Sequence, residues 1–289
     1  MLHAQKDPHF INGLQEIMNQ YDDFIVDLWG VIHDGYHLYP HALKTLNLLK
    51  KNKKRVIFLS NAPRRASPIM AQLQSLGIDI ECYFDLHSSG EDAYESLKKS
   101  HRGKVCFPFM AAPHSHLLED VETKITYTLE NADFILNTGP EHLVLTEHTD
   151  LLEKAKMLGI PMICVNPDVS VISKGTQILC AGALAQRYEE MGGIVSYHGK
   201  PYDRVYTSVW EKLGKPDKSR LCAIGDSLST DVLGAYRFCI DSILVMTGLE
   251  GLSLHVQADC FPAREKLQSI CTQKGVVPTY VAPSFCFYS

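Results

Sequence analysis

Long apolar runs are missing from this sequence. No stretch approaches the roughly 20 residues that a helix needs to cross a bilayer. The opening MLHAQKDPHFINGLQEIMNQ has no basic segment leading into an apolar one. Neither a signal peptide nor a membrane span is expected, and the expected compartment is the cytoplasm. Basic residues are not in excess: 28 Lys and Arg stand against 33 Asp and Glu, a net charge of −5. Nucleic acid and anionic membranes select for basic surfaces, so neither is expected as a partner. The cysteines are scattered, odd in number at nine, and never spaced C-x-x-C. In a chain of 289 residues this argues against a disulfide framework and predicts reduced thiols. Low-complexity segments, an obvious linker and a clear internal repeat are also lacking.

What is present is apolar material in short, regular pieces. Hydrophobic residues make up 45% of the chain, enough to bury a sizeable core in one large domain or two ordinary ones. Strand-like and helix-like patterns alternate, which predicts an α/β fold with a mostly parallel sheet. DFIVDLW is a continuous apolar run, as in a strand buried on both faces. HALKTLNLLKKN spaces Leu43, Leu46 and Leu49 three apart among lysines, and reads as an amphipathic helix. RVIFLSN, YFDLHSSG, RLCAIGDS and DSILVMTG read as further strands, and SPIMAQLQSLG as a helix stopped by Gly77. Between them KVCFPFM, ADFILNTG and PMICVNPD read as strands, and TDLLEKAKMLG and ILCAGALAQRYEEMGG as helices. That is material for a second small α/β unit, inserted at residues 93–193 between core segments 1–92 and 194–289.

In open parallel sheets the ligand lies beyond the carboxyl ends of the strands, so the residues that follow each buried run matter most. Asp27 follows FIV. Ser60 and Asn61 follow VIFL. Asp226 follows LCAIG, with Asp231 five residues on, and Lys200 stands before a helix in HGKPYDRVY. Carboxylates on adjacent strand ends repel one another unless a cation lies between them. Hard oxygen ligands with few protein donors suit Mg²⁺, which binds through carboxylates and a substrate phosphate. A hydroxyl, an amide and a lysine supply donors and positive charge for phosphoryl oxygens. A carboxylate nucleophile would form an aspartyl-phosphate and split one hard displacement into two.

Asp27 in DLWGV, Ser60 in LSNAP, Lys200 in GKPYD and Asp226 with Asp231 in GDSLSTD resemble, in order, the four motifs of haloacid dehalogenase-superfamily phosphatases. The similarity covers nearly the whole chain. It points to the branch of 4-nitrophenyl phosphatase-like and N-acetylglucosamine monophosphate phosphatase-like enzymes, whose late-cap NPD segment ICVNPD resembles. The resemblance implies a Rossmann-like core with an α/β cap inserted between the second and third motifs. It implies Asp27 as nucleophile and Mg²⁺ held by Asp27, the Trp29 backbone carbonyl and Asp226, with Asp231 nearby. Ser60, Lys200, Asn61 and Gly30 would hold the phosphoryl group, and Lys200 would also shield the charge of Asp27. The substrate would be a small phosphorylated metabolite or an aryl phosphate, and the cap would pair two chains.

One position departs from the pattern. Family phosphatases usually carry a second Asp two residues after the nucleophile, and it protonates the leaving oxygen. Here that residue is Trp29, which has no proton to give. Losing a general acid typically costs a factor of about 10²–10⁴. His33 and Asp34 are the candidates for a substitute acid. The gap keeps two other readings open: a hydrolase restricted to aryl or otherwise activated phosphates, and a non-catalytic phospho-ligand binding or regulatory protein.

Plainer readings exist residue by residue. A strand-end Asp is more often a cap or turn residue, and Ser60 with Asn61 would suit a helix cap. Trp29 would fill space between core and cap. His114 and His116 in PHSH lack a third ligand nearby and read as surface histidines. The apolar tail VPTYVAPSFCFYS is expected to pack on the core.

Overall fold

The protein is described here by a computed structural model covering residues 7–110, 112–139, 143–173 and 176–288. The first six residues, part of the opening searched for a leader, lie outside the described residues. The chain divides into two compact units. The first holds the chain up to Ser60, Met70–Leu86 and the chain from Lys200 onward; the second holds Asn61–Ile69 and His87–Gly199. The expected boundary at residue 93 therefore moves. It would have cut the helix Ser89–Ser100, whose Ala93, Tyr94 and Leu97 belong to one buried cluster of the second unit.

The fold is α/β. The first sheet holds seven strands: β1 (His9–Phe10), β2 (Asp23–Val26), β3 (Arg55–Ser60), β4 (Asp85–Ser88), β12 (Leu221–Gly225), β13 (Asp241–Val245) and β14 (Tyr280–Ala282). Their order is β1-β14-β13-β12-β2-β3-β4. The β12–β13, β12–β2, β13–β14, β2–β3 and β1–β14 pairings are all parallel. The run DFIV is buried at every residue, as a central parallel strand requires. From β2 the chain builds outward through β3 to β4, then resumes on the other side at β12. The switch point of the sheet therefore lies between β2 and β12.

Alternation assigns the faces. Ile25, Ile57, Leu59, Leu221 and Ala223 pack on Val205, Tyr206 and Val209 of the helix Asp203–Lys212. In the helix Ala42–Lys51, Leu46 and Leu49 are buried, and Lys50 and Lys51 in the last turn complement its negative end. The helix Ala66–Ser75 is followed by Gly77 at φ +93°, where Ile78 N–H turns back to Leu73 O. The apolar tail packs as expected, with β14 paired to β13 and Phe285 and Phe287 buried.

The second unit has its own parallel sheet: β5 (Val105–Met110), β6 (Lys124–Ile125), β7 (Phe134–Gly139), β8 (Met162–Cys164) and β11 (Val195–Tyr197), in the order β11-β8-β7-β5-β6. Successive residues again go to opposite faces. Phe107, Ile135 and Met162 pack on the helices Thr149–Met157 and Ala181–Glu190, while Cys106, Phe134 and Ile163 pack on Ser89–Ser100. An antiparallel hairpin, β9 (Ser170–Ser173) with β10 (Thr176–Leu179), precedes Ala181. The expected helix from Ile178 thus starts late, because Ile178 and Leu179 are claimed by the hairpin ladder. No helix among the described residues is long and apolar enough to cross a membrane.

Candidate functional site

The first unit brings four of the singled-out residues together at the switch point. Asp27 follows β2, Asp226 follows β12, Asp231 lies in a wide turn at Leu228–Val232, and Lys200 opens the segment before the helix Asp203–Lys212. Carboxylate oxygens of Asp27, Asp226 and Asp231 lie within 4.8 Å of one another, and all three residues are buried. Lys200 Nζ lies 2.6 Å from Asp27 Oδ1 and 2.7 Å from Asp231 Oδ1, with only 3% of the residue exposed. Ser60, buried, ends β3 beside β2.

The electrostatics of this cluster do not balance. Three carboxylates face one ammonium, a surplus of two negative charges when all three are ionised. Two carboxylates at such a separation repel by on the order of 3 kcal/mol at an effective dielectric constant near 20. The repulsion is visible in Asp226. Burial first, then the charges of Asp27 and Asp231, push its carboxyl well above the ordinary range. For Lys200, burial works against the ammonium, but Asp231 and Asp27 outweigh it and hold the group above its usual value. Lys200 therefore stays charged. A donor set of hard oxygens with a surplus of two charges fits a divalent cation.

The loop after Asp27 explains Trp29 and the two candidate acids. Gly35, at φ +98°, lies so close under the Trp29 indole that a Cβ there would collide with it. The His33 ring meets the same indole edge-on at 5.8 Å. Trp29 thus packs on its own loop. His33 is buried, and its Nδ1 accepts the Gly35 N–H at 2.9 Å, which places the proton of the neutral ring on Nε2. Asp34 closes a turn by accepting the Tyr36 and His37 N–H groups at 2.8 and 2.7 Å. Burial works to raise its pKa, but those bonds outweigh it and the carboxyl sits below its ordinary value. Asp34 is an anion at neutral pH and a poor acid, which leaves His33. Gly30 also needs correction. Its N–H is spent on the His33 carbonyl at 3.0 Å and its carbonyl accepts the Thr247 hydroxyl, so it is no ready donor to a phosphoryl group. Its contribution is the missing side chain, since a Cβ at its φ of +84° would strike the Asp226 carboxylate.

Asn61 falls in the second unit. It is buried, and its Nδ2 donates to Asp168 Oδ1 at 2.8 Å, which gives the NPD segment a definite task. In the same unit His198 Nδ1 pairs with Asp92 Oδ2 at 2.6 Å, both buried. His114 and His116 are not simple surface histidines. His114 Nδ1 meets Thr138 Oγ1 at 2.9 Å, and burial, with the nearby His116 and Arg64 charges, pushes its pKa down to about 4. His116 Nε2 accepts the Arg65 N–H at 3.1 Å. Both rings thus fix the segment Ala112–Leu118 in place.

Sequence reasoning missed the segment Thr247–Glu250, which follows β13. Leu249 N–H donates to Asp226 Oδ2 at 2.6 Å, and Glu250, buried, accepts the Leu228 N–H at 3.1 Å. Its only sequence signal was a Thr-Gly pair after a buried strand, which reads as an ordinary turn.

A parallel α/β core with a buried acidic cluster and a lysine at its switch point defines an enzyme that works beyond the carboxyl ends of its strands. Residues 24–124 match the model of the haloacid dehalogenase-like hydrolases, and residues 197–271 match that of the HAD-hydrolase-like proteins. The chain belongs to the haloacid dehalogenase-like hydrolases. It is similar to the acid sugar phosphatase of Staphylococcus epidermidis, 22% identical over 234 residues, spanning 80% of this chain and 89% of that protein. It superposes on a haloacid dehalogenase-like hydrolase from Brucella suis with a TM-score of 0.77 at 26% identity, covering 83% of this chain and 90% of the other. It also superposes on a 4-nitrophenylphosphatase from Thermotoga maritima with a TM-score of 0.71 at 26% identity, covering 93% and 97%. Phosphatases of this family generally use a divalent metal ion, in keeping with the charge surplus at the cluster.

Proposed function

We propose that this protein is a Mg²⁺-dependent phosphomonoester hydrolase that acts through an aspartyl-phosphate on Asp27. The observation that carries the reading is the buried trio Asp27, Asp226 and Asp231 with Lys200 bonded to two of its members. Asp27, the Trp29 backbone carbonyl and Asp226 would hold the ion, with Asp231 beside them. When bound, it supplies positive charge for the phosphoryl oxygens. An Asp27 carboxylate oxygen attacks phosphorus, and the bond to the ester oxygen breaks with its electron pair leaving on that oxygen. Water then attacks the phosphorus of the aspartyl-phosphate, releasing phosphate and restoring the Asp27 carboxylate. Lys200, kept charged by its two carboxylates, holds Asp27 ionised and faces the phosphoryl oxygens, with Ser60 as a further donor. The substrate is a small phosphorylated metabolite or an aryl phosphate. The names of the acid sugar phosphatase and the 4-nitrophenylphosphatase support that range.

Trp29 sets the test. With no acid at that position the departing oxygen carries negative charge in the transition state. An aryl oxygen bears it better than an alkyl one, because a phenol such as Tyr has a pKa of about 10. Steady-state rates over phosphate esters of graded leaving-group pKa, with Mg²⁺ and with chelator, are expected to fall steeply as that pKa rises and to vanish with chelator. Trp29→Asp flattens the dependence. If His33 Nε2–H is the donor, wild-type rates are already flat and His33→Ala makes them steep. A flat profile that survives loss of both His33 and Asp34 contradicts this account of the missing acid. No turnover of any ester, with ion uptake intact, favours the phospho-ligand binding reading instead.

A further inference from the structure

We propose that Thr247, Leu249 and Glu250 form a clasp that sets the geometry of the acidic cluster, with Thr247 and Glu250 as positioning residues; this rests on the hydrolase reading above. Four consecutive residues after β13 act on the cluster. The Thr247 hydroxyl donates to the Gly30 carbonyl, on the loop that carries Asp27 and Trp29. The Thr247 carbonyl in turn accepts from Tyr39 OH at 3.0 Å, which ties the far end of the same loop to the same residue. Gly248 leaves room for Asp226, since a Cβ there would overlap the Asp226 carboxylate. Leu249 N–H fixes Asp226 Oδ2 at 2.6 Å, and Glu250 N–H reaches the Asp226 carbonyl at 3.2 Å.

Glu250 completes the clasp. The residue is 4% exposed, and its carboxylate is held by one backbone N–H and one hydroxyl. Oε1 accepts the Leu228 N–H at 3.1 Å, at the start of the wide turn that carries Asp231. Oε2 accepts from Ser253 Oγ at 3.2 Å, which holds the side chain in place. A buried carboxylate costs free energy to keep, and here its yield is a fixed Leu228–Val232 turn. The clasp thus joins all three carboxylates: Asp27 through Gly30, Asp226 directly, and Asp231 through Leu228. Partners of this outer kind typically change metal affinity by about 10–100-fold when lost.

The test uses Thr247→Val, which keeps the shape and removes the hydroxyl, and Glu250→Ala. Thr247→Ser and Glu250→Gln retain the needed oxygen and serve as controls. Amide hydrogen exchange is measured by mass spectrometry on the metal-free full chain, and Mn²⁺ affinity by the loss of its free-ion EPR signal. Thr247→Val is expected to speed exchange over residues 27–35, and Glu250→Ala over 226–231, each by about tenfold, as loss of one buried hydrogen bond predicts. Each is expected to weaken Mn²⁺ binding by about tenfold, with the two controls close to wild type. Unchanged exchange in both folded variants overturns the clasp. So does Glu250→Gln exchanging as fast as a folded Glu250→Ala; if the alanine variant does not fold, unchanged exchange over residues 27–35 in folded Thr247→Val overturns the clasp. Faster exchange at the expected segments, in a protein that takes up no Mn²⁺ in any form, supports the clasp and removes the metal-dependent reading instead.

Discussion

Asp27→Asn is expected to abolish turnover while the protein stays folded. The amide is nearly the same size as the carboxylate, so the strand end and loop keep their packing. It lacks the nucleophilic oxygen, and an acyl-phosphate cannot form on it. Loss of a nucleophile costs a factor on the order of 10⁶ in kcat. The fold has reason to tolerate the change, because Asp27 belongs to a cluster with surplus negative charge, and neutralising one member relieves repulsion. Circular dichroism and a thermal melt, run beside the assay, check both halves. Activity comparable to wild type in the folded variant removes Asp27 from the role assigned to it.

Lys200→Met is expected to separate charge from shape. The thioether fills much of the volume of the lysine stem, but Asp27 and Asp231 lose the ammonium that lies 2.6 and 2.7 Å away. Turnover is expected to fall by about 10²–10³-fold, the usual effect of removing one preorganised charge from a phosphoryl site. Affinity for a divalent cation is expected to move the other way, because the cluster then holds three carboxylates and no lysine. Isothermal titration with Mg²⁺ and steady-state assays on one preparation report both quantities. A variant that loses ion affinity together with activity would mean that Lys200 supports the shape of the site rather than its charge balance.

The parts of this site that sequence reading found share one property: each is a polar residue where an apolar run ends. Asp27, Ser60 and Asp226 stand out because burial of such groups is costly without a task. Lys200 was reached through its place before a helix, and Asp231 through its spacing from Asp226. What escaped was made by distance or by backbone. Asn61 meets Asp168 across 107 residues, and His198 meets Asp92 across 106; neither pair has a local pattern. Leu249 acts through its N–H, which no side chain announces, and nothing in the sequence around Glu250 signals its burial. The α/β alternation was legible because parallel strands are continuous apolar runs. The hairpin Ser170–Ser173 with Thr176–Leu179 was not, since its second strand merges into the helix that follows. Gly30 misled for a simpler reason: a glycine in a catalytic loop suggests a donor, whereas this one supplies space.

The most direct test is to trap the covalent intermediate. The protein is mixed with 4-nitrophenyl phosphate and Mg²⁺, quenched in the steady state and treated with borohydride, which reduces an aspartyl-phosphate to homoserine. Peptide mass spectrometry is expected to find homoserine at position 27 alone, and none when substrate is left out. Release of 4-nitrophenol with position 27 unmodified, or with homoserine at another aspartate, would contradict the account.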